Sequence, residues 1–298
     1  MAAFLRFKGI NNTVAAHVSD VLQISAAAGF LLVVLTAVLS RHVQRHFTWL
    51  NFCVSWIISC ISYTLLVFTG NGSKHAPPFE LCVVQAALIY GAPVLTGGTT
   101  FSLAFYMYTH VKSTLDNASL GGESFWVSLV ADFFLFIALG SLNNSKLVLG
   151  PYLIWLGFFI GVLVSGIRQP SLVRKASNYC DFTSRIPSKA SALVVALAVM
   201  GVITVSIRVT VRLYRNRRRL GHDTLYVTTA IRVMLFALIC FLAFVVSAVY
   251  IITWSPGPEF DIILALVPNF GVIIFGSQAD ILRAWIALLK RAKAFGNK

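Results

Sequence analysis

Residues 124–146 read SFWVSLVADFFLFIALGSLNNSK, and this segment decides how many times the chain crosses a membrane. If the segment does not cross, the other apolar segments give seven spans. If it crosses, the chain has eight spans and every later loop changes sides. Asp132 lies near its middle, and a central Asp costs roughly 2.5–3.5 kcal/mol on membrane-insertion scales. This cost favours an interfacial position for the segment.

The composition indicates a membrane protein. The 298 residues are 58% hydrophobic and 11% charged, with a mean hydropathy of +0.82, whereas soluble domains are about half apolar and about a quarter charged. A net charge of +14 is also found in nucleic-acid-binding proteins. Here, however, Lys and Arg lie between apolar segments, where they orient spans and contact anionic lipid. We therefore predict membrane lipid as a partner and no nucleic acid.

The apolar segments predict an all-α, polytopic fold, because backbone polar groups in lipid must be paired within each segment. We predict a single seven-transmembrane domain over residues 1–298, with an extracellular N-terminus (1–19), a helical bundle (20–277) and a cytoplasmic amphipathic helix and tail (278–298). In the tail, apolar and basic residues separate at helical spacing, as in an interfacial helix. The predicted spans are 20–40, 50–69, 81–110, 147–167, 190–212, 224–254 and 260–277.

Three interpretations of segment 124–146 stay open. The distribution of Lys and Arg between the two sides is equally good for seven and for eight spans, so charge bias does not decide. Apolar residues between Trp126 and Ile137 recur at helical spacing, which favours an interfacial helix in the second cytoplasmic loop. Codons for Val127 and Ser128 can also read GTAAGT, a splice-donor sequence, so a retained intron is the third alternative.

Two of the five cysteines bear on the same question. Cys82 begins the third span, and Cys180 lies in the polar loop 168–189. In an oxidising compartment the two can form a disulfide, which requires an even number of crossings between them. The seven-span topology meets this condition and the eight-span topology does not. We favour the disulfide over two free thiols, and we predict glycosylation of the Asn-x-Ser/Thr acceptors Asn11 and Asn71 on the same side.

Catalytic and metal-binding patterns are weak. His42 and His46 lie four residues apart without a third ligand, and no Cys-x-x-Cys motif occurs. A retinal protein needs a lysine in the last span, and residues 260–277 contain none. We predict no metal, no cofactor and no catalytic residues, and hence a protein that is not an enzyme.

Four segments carry a resemblance to a known family: RHFTWLNFCVSWIISCISYTLLVFTG (45–70), LCVVQAALIYGAPVLTGGTT (81–100), PYLIWLGFFIGVLVSGI (151–167) and FGSQADILRAW (275–285). With these segments the chain resembles the seven-transmembrane, G-protein-coupled-receptor-like proteins of filamentous, mushroom-forming fungi. The resemblance covers most of the chain except segment 124–146, and it implies a plasma-membrane receptor for an unknown extracellular ligand that signals to a heterotrimeric G protein. It also implies an eighth, cytoplasmic amphipathic helix.

The rhodopsin-like activation motifs are missing. The third span ends in FYMYTHVK (105–112) without an Asp-Arg-Tyr triplet, and Pro268-Asn269-Phe270 is not an Asn-Pro-x-x-Tyr motif. The roles of those motifs therefore do not carry over to this chain.

A receptor needs an outer and an inner site that are linked through two states. The candidate ligand-binding residues under loop 168–189 are Gln85, Tyr90, Trp155 and Trp254. The candidate contacts for a G protein or anionic lipid are Arg212, Arg215, Arg217, Arg218 and Arg219. The alternative function is a small-solute membrane transporter, which usually has ionisable groups along a path or broken helices in repeated halves.

Overall fold

The computed structural model describes residues 12–40, 43, 45–72, 77–116, 144–175, 179–215, 224–253 and 258–296. A two-stranded antiparallel hairpin connects the fourth described helix to the fifth, with Val173 opposite Phe182. The hairpin consists of β1 (Val173–Lys175) and β2 (Cys180–Phe182). The helices of these residues are α1 (Asn12–Leu39), α2 (Phe47–Phe68), α3 (Phe79–Asp116), α4 (Asn144–Arg168), α5 (Ile186–Arg215), α6 (Thr224–Thr253), α7 (Pro258–Gly276) and α8 (Ala279–Gly296).

The helices have the length and the surface of membrane spans. By length and composition, five helices among the described residues can cross a membrane, and a sixth is added if α7 and the start of α8, bent by 76°, form one span. Large apolar side chains are exposed along their outer faces, as expected for contact with lipid. The fold is therefore an all-α, polytopic membrane protein, as the sequence predicts.

Several helices extend beyond the predicted spans. α1 begins at Asn12 rather than at residue 20, and α3 continues to Asp116 rather than ending at residue 110. Helical backbone bonds persist outside the hydrocarbon region because water satisfies the terminal groups there. Of segment 124–146, only the last three residues are described, as the start of α4. Residues 124–143 and the first eleven residues of the predicted extracellular region lie outside the described residues.

Helices α3 and α4 pack antiparallel, with small residues of α3 at their contacts. A Cβ atom added to Gly91 of α3 would lie 2.9 Å from the Trp155 side chain of α4, and one added to Gly98 would lie 3.0 Å from Pro151. The residue numbers at these contacts increase along α3 and decrease along α4, so the two helices run in opposite directions. The missing side chains allow the two backbones to approach closely, as small residues commonly do in membrane bundles.

The bundle has two distinct ends, which we name the hairpin end and the tail end. The hairpin end carries β1 and β2, together with the starts of α1 and α7, where the Ser19 hydroxyl donates to the Asp261 carbonyl over 3.4 Å. The tail end carries α8, together with the ends of α1 and α7, where Trp285 Nε1 donates to Thr36 Oγ1 over 2.7 Å. Helix α1 therefore makes contacts at both ends of the bundle, with α7 at the hairpin end and with α8 at the tail end.

An aromatic cluster fills the bundle between the two ends. The Phe52 ring of α2 lies 5.3 Å from Phe236 of α6 and 4.9 Å from Phe275 of α7, measured between centroids. Phe30 of α1 and Trp56 of α2 stack at 6.5 Å. Such pairs contribute about 0.5–1.5 kcal/mol each beyond their burial. The cluster therefore joins four helices in the middle of the bundle.

Candidate functional site: a cavity beneath the hairpin

A cavity of about 530 Å³ lies inside the bundle, towards the hairpin end. Its walls come from α1, α2, α3, α5, α6 and α7, and residues of the hairpin also line it. This volume is in the range of small-molecule sites, which are usually concave, apolar and largely preformed. Pro93 and Pro268 lie within lining helices, in α3 and α7, where proline removes a backbone hydrogen bond and allows a bend.

Most of the cavity wall is apolar, with a minority of hydroxyl and amide groups. Thr96 donates its hydroxyl to the Ala92 carbonyl over 3.1 Å, and Thr100 donates to the Thr96 carbonyl over 2.6 Å. Each hydroxyl oxygen keeps acceptor capacity after that bond. The apolar lining residues include Ile89, Val195, Val199, Phe244, Leu264 and Val267, and the polar ones include Gln23, Ser59, Thr96, Thr100, Ser188 and Ser191.

The charge on the described cavity wall is already paired. Asp181 of β2 is the only carboxylate among the lining residues that the structure describes. Arg174 of β1 donates from Nε to its Oδ1 over 3.0 Å and from Nη2 to its Oδ2 over 3.4 Å. The hydrogen bond and charge of Asp181 raise the pKa of Arg174. This two-point contact neutralises the carboxylate at the edge of the cavity.

Two polar atoms of the cavity wall are buried without a hydrogen-bond partner. They are Oε1 of Gln23 on α1 and Nε1 of Trp56 on α2. Gln23 is 4% exposed and Trp56 is 9% exposed, so neither atom is solvated from the outer surface. A buried polar group without a partner costs about 1–3 kcal/mol. Neither atom is accessible to water, so both lie within the packing behind the cavity surface.

The hairpin forms a roof that is fastened to α3. Cys82 and Cys180 form a disulfide with their Cα atoms 5.2 Å apart, which confirms the pairing that the sequence favoured. Gln85 Oε1 accepts the backbone N–H of Cys180 over 3.0 Å, and the Tyr90 hydroxyl accepts that of Phe182 over 3.2 Å. The strand β2 is therefore held to one helix by a covalent bond and two hydrogen bonds.

The roof is also fastened to α7 and α2. The Tyr179 hydroxyl donates to Asp261 Oδ1 over 2.9 Å, and its ring lies edge-on to Tyr63 at 6.0 Å. Burial, reinforced by the charge of Asp261, raises the pKa of Tyr179 well above its usual value, so the hydroxyl stays protonated and donates. Lys175 Nζ donates to the Gly72 carbonyl over 2.8 Å. The roof thus contacts three sides of the bundle.

The predicted ligand-contact residues have different places in the structure. Tyr90 lines the cavity. Gln85 is fully buried, and its Nε2 donates to the Ser62 and Tyr63 carbonyls at 3.3 Å each, so it anchors the hairpin to α2 and α3. Trp155 packs on Gly91 and stacks on Phe159 at 5.7 Å, on α4. Trp254 lies outside the described residues, and ligand contact by these four side chains stays a prediction.

The predicted inner-site arginines are only partly described. The Arg212 guanidinium lies 5.4 Å from the Tyr108 ring centroid, at the tail end, and Arg215 is exposed at the end of α5. Arg217, Arg218 and Arg219 lie outside the described residues, so their contacts with a G protein or lipid stay a prediction.

The two predicted glycosylation sites also stay predictions. Asn11 is outside the described residues. Asn71 is described, but its side chain is 8% exposed and its Nδ2 donates to the Thr69 carbonyl over 2.9 Å. Attachment of a glycan at Asn71 therefore requires this side chain to turn outward.

Charged and amide groups cluster at the tail end, where the sequence alone did not single them out. Arg45 pairs with Asp280, which joins the α1–α2 turn to the first turn of α8. Arg232 of α6 donates to the carbonyl of Ile274 and, over 2.7 Å, to the hydroxyl of Ser277. Both amide atoms of Gln278, which is 4% exposed, have no hydrogen-bond partner.

Among the described residues, no group of three or more His, Cys, Asp or Glu could hold a metal ion.

Comparison with known proteins adds no identity to this picture. No protein-family model matches the chain, and no curated protein gives a significant match. The functional interpretation therefore depends on the cavity, its roof and the tail end.

Proposed function

We propose that this chain is a seven-transmembrane receptor of the G-protein-coupled type, similar to those of mushroom-forming fungi. In this proposal the cavity binds an extracellular ligand and the tail end contacts a heterotrimeric G protein. The observation that carries it is the cavity of about 530 Å³ inside the bundle, roofed by a hairpin that is disulfide-bonded to α3. A cavity of this volume can hold a small molecule.

The directions of α3 and α4 support seven spans. The two helices pack antiparallel, so α3 ends and α4 begins at the tail end. At that end the Asn51 side chain of α2 donates to the Val148 carbonyl of α4 over 3.2 Å. A chain that leaves and re-enters the bundle at one end crosses the membrane an even number of times in between. We therefore propose that the segment around 124–146 adds no single crossing.

The disulfide supports an orientation for the bundle. Disulfides form in oxidising compartments and are rare in the cytosol. The Cys82–Cys180 pair lies at the hairpin end, so we place this end outside a plasma membrane and the tail end in the cytoplasm. In this orientation the N-terminus is extracellular. Helix α8 then lies at the cytoplasmic surface, where basic interfacial helices meet anionic lipid.

The same helices connect the cavity with the tail end. Cys240 of α6 and Val267 of α7 line the cavity, and Arg232 of α6 binds Ser277 beyond the end of α7. A ligand that contacts α6 and α7 differently in two arrangements would shift the equilibrium between them. That shift would reach the cytoplasmic surface through the Arg232 contact.

The transporter alternative has less support. Transport pathways usually contain ionisable groups within the membrane. Among the described cavity-lining residues, Asp181 is the only carboxylate and it is paired with Arg174. We therefore keep transport only as the alternative function, which a measured solute flux would support.

The proposal is tested by recruitment of a G-protein α subunit to the full chain in membranes. We expect the triple variant Arg215→Glu, Arg217→Glu, Arg218→Glu to lose recruitment at unchanged surface level. The matched control reverses three charges near the hairpin end, Arg168→Glu, Arg185→Glu and Lys189→Glu, and should keep recruitment. Absence of recruitment together with a measured solute flux would replace the receptor with the transporter.

A further inference from the structure

We propose that the cavity binds a neutral amphiphile, with a hydrogen-bonding head group beneath the roof and an apolar chain that extends towards the tail end. This inference rests on the receptor function proposed above, because it names the class of ligand for the same cavity. Three properties of the cavity carry it: the hydroxyl groups near the roof, the apolar wall below them and the charge at its edge.

Three serine hydroxyl groups of the cavity wall are accessible to a ligand. Ser59 of α2 and both Ser188 and Ser191 of α5 line the cavity. Among the described residues these hydroxyls have no hydrogen-bond partner, and none of the three oxygens is sealed from water. Ser59 and Ser191 are 8% and 5% exposed, so we assign this small exposed area to the cavity that they line. Each hydroxyl can donate one hydrogen bond and can also accept.

The three hydroxyl groups lie near the roof. Ser188 and Ser191 belong to the first two turns of α5, which follows β2 along the chain. Ser59 precedes Tyr63 by one helical turn on the same face of α2, and the Tyr63 ring lies 6.0 Å from the ring of Tyr179 in the roof. One turn corresponds to about 5.4 Å. The serines therefore form a polar layer about one to two turns below the roof.

The wall below this layer is apolar. Val199 and Val202 line the cavity further along α5, and Ala237 lines it from α6. Ser191 and Val199 are separated by about 12 Å along the helix. An apolar chain gains from transfer to such a wall, whereas a polar group would lose its hydrogen bonds to water without replacement. The cavity thus has a polar part under the roof and an apolar part below it.

The hydroxyl groups in the deeper part already donate to their own helix. A Cβ atom added to Gly97 of α3 would lie 3.3 Å from the Cβ of Ala198 on α5, which places this part of α3 at the depth of Val199. Beside this contact, Thr96 and Thr100 donate to backbone carbonyls of α3 over 3.1 Å and 2.6 Å. Their oxygens can still accept, but only the serines near the roof also have a donor to offer.

The charge at the edge of the cavity favours a neutral head group. No Lys or Arg occurs among the described lining residues, so an anionic head group would be buried without a counter-ion, which is strongly unfavourable. A cationic head group beside Asp181 would meet the guanidinium of Arg174, which already binds both carboxylate oxygens. A neutral head group with hydroxyl groups avoids both costs and pairs with the serines.

Matched probes with an eight-carbon chain test this class of ligand. They are 1-octanoylglycerol, methyl octanoate, octanoate and octylamine, which differ only in the head group. Binding is measured by the unfolding midpoint of the purified full chain in lipid discs over a range of probe concentrations, without a G protein. We expect 1-octanoylglycerol to raise the midpoint saturably, methyl octanoate to bind more weakly, and the two charged probes to give no saturable rise. This order needs no variant, so a variant that fails to fold does not remove the test.

Substitutions then locate the head group. Ser59→Ala and Ser191→Ala each remove one hydroxyl, and each should weaken 1-octanoylglycerol binding by about three- to tenfold, the equivalent of one hydrogen bond. Both should change the affinity for methyl octanoate less, because its head group has no donor. Ser165→Ala is the matched control, because this serine of α4 lies outside the cavity lining and donates to the Gly161 carbonyl over 2.8 Å. It should leave both affinities unchanged.

Photolabelling tests the orientation of the amphiphile. A diazirine at the end of the octanoyl chain should label the segment of α5 around Val199 and Val202 or the segment of α6 around Ala237. A diazirine on the glycerol should label the segment around Ser188 and Ser191. Mass spectrometry of the labelled peptides, with excess unlabelled 1-octanoylglycerol as competitor, separates cavity binding from labelling by probe dissolved in the bilayer.

Four results would overturn the inference: tighter saturable binding of octanoate or octylamine, no saturable binding of any probe, equal 1-octanoylglycerol affinity in all variants, or the reverse orientation of the two labels. Because the assay contains no G protein, these results concern only the ligand class. Binding with the expected pattern but without G-protein recruitment would instead contradict the proposed receptor function.

Discussion

The hairpin end and the tail end are held together by different kinds of interaction. At the hairpin end, a disulfide and hydrogen bonds from Gln85 and Tyr90 fix β2, and the polar atoms in these contacts are paired. At the tail end, Arg45 and Arg232 each use part of their guanidinium group, while their buried Nε atoms have no hydrogen-bond partner. A satisfied polar network rigidifies the groups that form it, whereas a buried polar atom without a partner is unfavourable and gains from any rearrangement that supplies one. The comparison therefore indicates a fixed roof and an adjustable tail end.

The largest expected effect comes from the disulfide at the fixed end. Replacing both Cys82 and Cys180 by Ser opens a loop closed over a sequence separation of 98 residues. A loop of about 100 residues corresponds to about 4.7 kcal/mol in the chain-entropy description. We expect the unfolding midpoint to fall by about 10 °C, measured on purified protein in lipid discs.

Reductant provides the control for this prediction. It should lower the midpoint of the unsubstituted protein to that of the double variant and leave the double variant unchanged. Equal midpoints for oxidised and reduced protein would show that the hairpin end does not depend on its covalent bond.

The second effect concerns the ion pair at the tail end. Arg45 is 8% exposed and Asp280 is 24% exposed, measured on their side chains. Burial lowers the pKa of Arg45, and Asp280 opposes this change. Asp280→Asn leaves a buried cation without its counter-ion, and loss of one partner of a buried pair typically costs about 3–5 kcal/mol. We expect a clear fall in the free energy of unfolding, measured by denaturation with a detergent.

The double variant Arg45→Met, Asp280→Asn tests the cause of that fall. It removes both charges and should be more stable than Asp280→Asn alone, because no unpaired cation remains. If both variants lose the same stability, the loss comes from packing and not from charge.

The two ends also differ in how far the sequence predicts them. The apolar segments, the basic amphipathic tail and the cysteine pair are local or compositional patterns, and they predict the helices, α8 and the disulfide. The pairing of Arg45 with Asp280 spans 235 positions, and no local pattern encodes such a distance. Only the folded bundle brings these residues together.

Gln85 and Gln23 show the same limit within the spans. Each is a lone amide in an apolar segment, and the sequence alone singles out Gln85 as a ligand contact. The structure uses the Gln85 amide to hold the backbone of α2 and the hairpin, whereas Gln23 lines the cavity with its Oε1 unpartnered. A lone glutamine in an apolar segment is the same sequence pattern at both positions. This pattern does not tell whether the side chain anchors a neighbouring backbone, as Gln85 does, or lines the cavity, as Gln23 does.

The third prediction addresses movement at the tail end. Arg232 donates to the Ser277 hydroxyl over 2.7 Å and to the Ser277 carbonyl over 3.1 Å. Hydrogen bonds from charged groups contribute about 1.5–3 kcal/mol each, so Arg232→Met loosens α6 from the end of α7. We expect higher G-protein recruitment without ligand, measured in membranes at equal surface level.

Ser277→Ala is the graded comparison for Arg232→Met. It removes the hydroxyl contact but keeps the contact with the carbonyl, so its recruitment should lie between that of the unsubstituted protein and that of Arg232→Met. A fall in basal recruitment with Arg232→Met would mean that the contact supports the signalling arrangement and does not restrain it.

The smallest effect comes from one hydrogen bond of the roof. Burial and Asp261 raise the pKa of Tyr179 above its value in the unfolded chain, which is about 10. At a pH between these two pKa values, the folded chain keeps the proton and the unfolded chain loses it. The folded state is therefore favoured below about pH 10 and loses stability as the pH rises above it, by about 1.4 kcal/mol per unit at most. Tyr179→Phe should remove this part of the pH dependence and lower stability at neutral pH by about 1 kcal/mol. Tyr214→Phe, at an exposed tail-end position, is the control and should keep the alkaline loss of stability. If Tyr179→Phe loses stability above about pH 10 as steeply as the unsubstituted protein, the roof is not held by this hydroxyl.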